Sequence, residues 1–362
     1  MINKNCNGGV LLALYGEENG FYEENRETVY HAGNGFYNPY IEPLWKKEKR
    51  TLQNTANGIG LAALAYIAIS GIGNTIYTLF MQLFYPVASI RNFPFLYECT
   101  EWLFSIIIYV LSIIIPFGIF ALCIKIPFKV AFPFNKAKND LSVSGIIIGL
   151  GISVLASYVV GYLQFGLEYI GIRITMPEYE VPQSVVGIIC YIVAVVLAPA
   201  FIEEIAFRGI VMQSLRRFGD IFAIVASALL FGIFHLNLVQ MPYAFIMGLC
   251  MGYFVMRTGS LWVGIITHLI NNAAAVAFEF AYPYMSVEAY YLANLIYNLV
   301  FSLLAIIAFV YVIIKYKDIF RFEPSKNVLS PGKRTLYFAT APGILLAMAA
   351  AVAMTLPYIY LI

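Results

Sequence analysis

The chain has 362 residues, of which 61% are hydrophobic and only 12% charged, and its formal net charge is +2. Charges this sparse, gathered between long apolar runs, exclude an ordinary soluble domain and predict an all-α, polytopic transmembrane helical bundle of about eight to nine spans in the lipid bilayer. The near-neutral balance predicts no nucleic-acid partner.

The five cysteines (Cys6, Cys99, Cys123, Cys190 and Cys250) are odd in number and contain no CxxC pair. They read as small apolar residues rather than as a disulfide set or a zinc site. The beginning of the chain does not read as a signal peptide. Its apolar stretch, Val10 to Tyr15, is too short and is followed by acidic residues.

In chain order, residues 1–55 form a polar tail rich in Asn, Gly, Glu and Tyr, expected to be loosely folded and cytoplasmic. Its basic cluster Lys46-Lys47-Glu48-Lys49-Arg50 is expected to anchor the topology of the first span. Residues 56–180 then hold N-terminal transmembrane helices, 181–285 a core that carries the chemistry, and 286–362 C-terminal transmembrane helices. A span needs roughly 20 residues at about 1.5 Å each. The runs that meet or approach this are Ile59–Tyr85, Trp102–Ile126, Val143–Gly166, a long run from Val185 to Arg216, Ile221–Leu238, Pro242–Met256, Leu261–Phe280, Tyr291–Tyr316 and Tyr337–Leu361.

Alternating these runs from a cytoplasmic N-terminus puts Lys125, Lys129, Lys136, Lys138, Arg216, Arg217, Arg257 and the basic loop from Lys315 to Arg334 on one side. The other side receives only Arg91 and Arg173 among several acidic residues. This positive-inside pattern predicts a cytoplasmic N-terminus and an odd number of spans, in a cell membrane. Pro116, Pro199, Pro342 and Pro357 are expected to kink or break helices, and Gly248 with Gly252 form a small-xxx-small pair. No internal repeat of the transporter kind is visible.

Three motifs carry chemistry. The first is Ala198-Pro199-Ala200-Phe201-Ile202-Glu203-Glu204-Ile205-Ala206-Phe207-Arg208-Gly209. Ionisable groups at membrane depth are costly and default to a functional site. Glu204 and Arg208 are four apart and share a helix face; Glu203 is turned about 100° away and is free for another partner. Burial makes carboxylates in general better proton acceptors than they are in water, which suits a general base. A helix end emerging into solvent is the plainer alternative, but Arg216-Arg217 come only some 13 residues, or about 20 Å, after Glu203.

The second motif is Phe231-Gly232-Ile233-Phe234-His235. Alone, its histidine fits a satisfied core residue as well as a catalyst. The third is Thr267-His268-Leu269-Ile270-Asn271-Asn272, where His268 and Asn272 share a face and can donate to an oxyanion. Alone, it fits an interhelical polar clamp equally well. Together they supply base, orienting groups and oxyanion donors. The third histidine, His31, has no evident role. Depths counted from the expected cytoplasmic ends differ, at about 20 Å for Glu203, 22 Å for His235 and 12 Å for His268.

EExxxR, FxxxH and HxxxN in this order on successive apolar segments resemble the CAAX protease and bacteriocin-processing enzyme (CPBP, or ABI) family, the Rce1-type intramembrane endopeptidases. The resemblance covers roughly residues 183 to 280. It implies that Glu203 activates the attacking water with His235, that His268 and Asn272 stabilise the oxyanion, and that Glu204 and Arg208 support the first motif, with Phe231 as packing. It also implies a membrane-anchored protein or peptide as substrate. No HExxH pair is present, and no cofactor is expected. A divalent metal such as zinc on His235, His268 and Glu204, with Glu203 as base, is the alternative. A non-catalytic scaffold or immunity factor and a proton-coupled transporter are further alternatives.

Overall fold

The computed structural model describes residues 42–84, 94–176, 181–322, 325 and 327–361. Cys6, His31, Arg91 and most of the expected N-terminal tail lie outside them. The fold is all-α and polytopic, with one two-stranded ribbon.

Helix α1 (Leu44–Phe84) already includes the basic cluster, so the last part of the expected tail is helical. The run after Pro43 contains no glycine or proline until Gly58 and holds Lys, Leu, Glu, Arg, Gln and Ala, which are good helix formers. Then come α2 (Pro94–Cys123), α3 (Asn139–Tyr169), the composite helix α4 (Val185–Phe218), α5 (Asp220–Phe234), α6 (Gln240–Thr258), α7 (Leu261–Ala281), α8 (Val287–Lys315), α9 (Pro331–Ala339) and α10 (Pro342–Thr355).

Over the described residues each expected apolar run is therefore mainly helical, although the last, Tyr337–Leu361, is broken after Ala339 and ends in a strand. Among the described residues, six helices (in α1, α2, α3, α4, α7 and α8) are long and apolar enough to cross a bilayer. The α9–α10 segment, bent by 62° at its break, makes a seventh if counted as one span. The difference from the expected eight to nine lies in this bend and in α5 and α6. Helix α5 has only 15 residues, or about 22 Å of rise. Of the prolines expected to kink or break helices, Pro342 opens α10 after the bend, whereas Pro116 is carried inside α2 without ending it.

The chain is built around α4, whose faces are covered by α2, α5 and α7. The main core joins Phe117 and Ile113 of α2, Phe207, Ile210 and Val211 of α4, Phe231 and Phe234 of α5, Met247 and Met251 of α6, and Leu261 and Ile265 of α7. The expected glycine pair works at the α5–α6 contact. A Cβ on Gly248 would lie 3.0 Å from the Ala228 Cβ and 3.2 Å from Arg208 Nη2. The opposite end of the bundle is tied by β1 (Ile172–Ile174) pairing antiparallel with β2 (Ile359–Leu361).

Many leucines, isoleucines and valines outside this core face outward, as on Leu79, Ile107, Leu303 and Ile307. A soluble protein would not expose apolar area of this extent, but a lipid-facing surface does. The chain is an integral, multi-pass membrane protein.

Candidate active site

Helix α4 is not a uniform α-helix. Val193–Leu197 and Ile205–Val211 are π-helical, and the seven α-helical residues Ala198–Glu204 between them end in the glutamate pair. Such wide turns are rare and recur at functional sites. Here they flank Glu203 and Glu204 on both sides.

Both carboxylates and the guanidinium are buried: Glu203 is 6% exposed, Glu204 0% and Arg208 0%. Arg208 Nη1 donates to Glu204 Oε1 at 2.7 Å, the pairing that the four-residue spacing predicts. The guanidinium also lies 4.0 Å above the centre of the Phe231 ring, a cation–π contact that strengthens when water is excluded.

His268 comes in from α7 and faces both glutamates. Its Nδ1 is 3.2 Å from Glu204 Oε1, and its Nε2 is 3.8 Å from Glu203 Oε2. The first distance is a hydrogen bond and the second is beyond one. So Glu203, although turned away from Glu204 along the helix, reaches the opposite nitrogen of the same imidazole. The close approach of α7 to α4 requires Gly264, one turn before His268. A Cβ there would lie 2.5 Å from Glu204 Oε2.

His235 lies at the C-terminal end of α5, where Leu236 takes a left-handed conformation (φ 50°) and the chain turns away. That conformation is an outlier for a bulky residue and marks a point of stored strain. Asn237 stabilises the turn, its Oδ1 accepting from the backbone N–H of Val239 at 2.9 Å and of Gln240 at 3.1 Å. The His235 Nδ1 is 2.8 Å from the carbonyl of Phe231. That carbonyl can only accept, so Nδ1 carries the proton and Nε2 is left as an acceptor when the ring is neutral. His235 joins the cluster through Phe231, whose ring stands edge-to-face with His235 at 4.9 Å and with His268 at 6.0 Å. Phe231, expected as packing, thus touches the two histidines and the arginine at once.

Asn272 shares its helix with His268, as expected, but its Nδ2 donates to the backbone carbonyl of Val195 at 3.1 Å. In an α-helical register the N–H at position 199 would take that carbonyl, and position 199 is proline; the turn here is π-helical, with the Ala198 N–H on the Val193 carbonyl. The amide therefore satisfies a backbone acceptor inside a helix at membrane depth, where leaving it unpaired is costly. Its second Nδ2 hydrogen is not used in this bond. Neighbouring Asn271 accepts from the Tyr243 hydroxyl at 2.6 Å, a polar clamp between α6 and α7.

One residue of the site carries no motif. Tyr109, on α2, donates its hydroxyl to Glu203 Oε1. It lies 94 positions earlier in the chain, within Ile106-Ile107-Ile108-Tyr109-Val110, where nothing in the spacing marks it. The one available signal is a hydroxyl in an otherwise aliphatic run.

Among the described residues, no three His, Cys, Asp or Glu side chains are arranged to hold a metal ion. His268 presents its two nitrogens to two separate carboxylates, while Glu204 Oε2 has no hydrogen-bond partner among the described residues and His235, with Nδ1 on a backbone carbonyl, keeps Nε2 as an acceptor.

Residues 185–274 match the model of the family described as "Type II CAAX prenyl endopeptidase Rce1-like". This segment is Rce1-like. It contains all three motifs and most of α4 to α7, while Tyr109 lies outside it. A protein of Bacillus subtilis (strain 168), described as "Putative membrane peptidase YdiL", is 28% identical over 151 residues, which is 40% of this chain. The chain spans 59% of that relative's length. No solved structure matches the chain.

Proposed function

We propose that the protein is an intramembrane endopeptidase that hydrolyses a peptide bond in a membrane-associated protein or peptide, without a metal. The observation that carries this reading is the convergence of Glu203, Glu204 and Arg208 of α4 with His268 of α7 at one buried point, inside the Rce1-like segment.

In this reading Glu203 is the general base. It takes a proton from the attacking water as the water oxygen bonds to the scissile carbonyl carbon, and the proton later passes to the leaving amine. Oε2 is the oxygen suited to this, because it has no hydrogen-bond partner among the described residues. His235 Nε2 helps to hold the water. His268 and the second Nδ2 hydrogen of Asn272 are the donors assigned in this reading to the developing oxyanion. Glu204 and Arg208 neutralise each other and hold His268 in orientation, so their contribution is preorganisation. One guanidinium faces two carboxylates, and a net buried charge is expensive. The protein acts on a membrane-anchored substrate, with its N-terminus in the cytoplasm and in the cell membrane.

The test is purified protein in detergent with a quenched-fluorescence library of peptides that carry an apolar anchor. Wild type is compared with Glu203→Gln and His235→Ala, with and without a strong chelator. Cleavage by wild type that survives the chelator and is lost in Glu203→Gln supports the reading. Cleavage abolished by the chelator and restored by zinc replaces it with a metalloprotease.

A further inference from the structure

We infer that Tyr109 is a positioning residue for Glu203: its hydroxyl fixes one carboxylate oxygen so that the other is presented to the reacting water. The inference rests on the proposed role of Glu203 as base, and adds to it a residue from α2, outside the Rce1-like segment.

The two oxygens of Glu203 are in different situations. Oε1 accepts from the Tyr109 hydroxyl. Oε2 faces His268 Nε2 at 3.8 Å and has no hydrogen-bond partner among the described residues. A glutamate has three rotatable bonds, and holding it in one rotamer costs entropy. A hydroxyl donor to a carboxylate is among the stronger protein hydrogen bonds, and this one removes the freedom to swap the two oxygens.

The hydroxyl is itself held in place, because one face of α2 is registered along α4 at several levels. Glu98 accepts the backbone N–H of Gln183 and of Ser184, each at 3.0 Å, at the start of α4. Trp102 meets Tyr191 edge-on with ring centres 4.6 Å apart. Tyr109 reaches Glu203, and Phe117 packs on Phe207 at 5.6 Å. Positions 98, 102, 109 and 117 are separated by four, seven and eight residues, so they fall on one helix face. Residue numbers rise together along both helices, so α2 and α4 run parallel, and the pair acts as a ruler that sets the height of the tyrosine. Ser112, three residues on, is 0% exposed and donates to the Tyr109 backbone carbonyl at 2.8 Å.

The experiment is steady-state kinetics of Tyr109→Phe in detergent, using the library peptide that wild type cleaves fastest, with Glu203→Gln alongside. Phenylalanine keeps the ring and its packing and removes only the hydroxyl. The expected result is a tenfold or greater fall in the plateau kcat with KM within twofold of wild type. A plateau kcat for Tyr109→Phe within twofold of wild type, or above it, while Glu203→Gln is inactive, overturns the positioning role and leaves the protease reading standing. Glu203→Gln as active as wild type overturns the protease reading itself. A second measurement needs no substrate: a cycle of Tyr109→Phe and Glu203→Ala on thermal unfolding. Non-additive losses support the bond, and strictly additive ones overturn it.

Discussion

Replacing Asn272 by alanine removes more than a side chain in a candidate oxyanion hole. In the structure the Asn272 amide supplies the Val195 carbonyl, which Pro199 cannot serve because proline has no N–H. Asn272→Ala thus leaves a carbonyl unpaired inside α4. A buried polar group that loses its partner costs about 1–3 kcal/mol. At the low end of the conversion, suited to a long chain, this is a fall in Tm of roughly 2–6 °C. The same substitution in a Pro199→Ala background has a smaller effect, because the restored N–H at 199 takes the carbonyl itself. The assay is thermal unfolding of wild type, the two single variants and the double variant in one detergent. The reasoning predicts that the cost of Asn272→Ala falls by half or more when Pro199 is absent. An equal cost in both backgrounds refutes it and returns Asn272 to a role independent of the proline.

Three further substitutions probe the cluster. Arg208→Ala strands Glu204 at 0% exposure without its guanidinium; breaking a buried pair from one side costs about 3–5 kcal/mol, read as a large loss of Tm or of folded yield, whereas a change under 1 kcal/mol contradicts the pairing. Gly264→Ala puts a methyl group 2.5 Å from Glu204 Oε2, and overpacking of this kind costs about 1–3 kcal/mol, so both Tm and cleavage fall; full activity shows that α7 does not need this approach. Phe231→Leu removes the ring beneath Arg208 and between the two histidines; the lost cation–π and edge contacts amount to about 1–2 kcal/mol, and a drop in cleavage at unchanged KM separates this from simple packing.

How much of this was legible in the sequence differs from residue to residue. The Glu204–Arg208 pair follows from a spacing of four, which any helix puts on one face. The convergence of His268 on the glutamates was suggested by order along the chain but not by depth, since counting residues from expected helix ends gave about 12 Å against 20 Å. Depth counting assumes straight, regular helices with known ends, and α4 carries two π segments. Those segments have no clear composition signal: Val193–Leu197 and Ile205–Val211 read as any apolar helix. Tyr109 was invisible for a different reason. It acts across 94 positions, and a single tyrosine in an aliphatic span has no pattern to be matched. Asn272 illustrates a third case. Its position on the His268 face was readable, but the partner it uses depends on which carbonyl Pro199 leaves free, a fact that requires the two helices to be docked. The apolar runs themselves were clear. The bend of 62° between α9 and α10 was foreshadowed only by Pro342.

The central claim is that Glu203 is the base of a hydrolytic site. It is tested most directly by the cleavage rate of Glu203→Gln against wild type at matched folding. Both proteins are purified in the same detergent, shown to unfold at similar temperatures, and assayed with the same membrane peptide in the presence of a chelator. General-base catalysis is worth about 10²–10⁴-fold, so the account predicts a loss of at least 10²-fold in kcat in a folded variant. A folded Glu203→Gln that cleaves at the wild-type rate contradicts it.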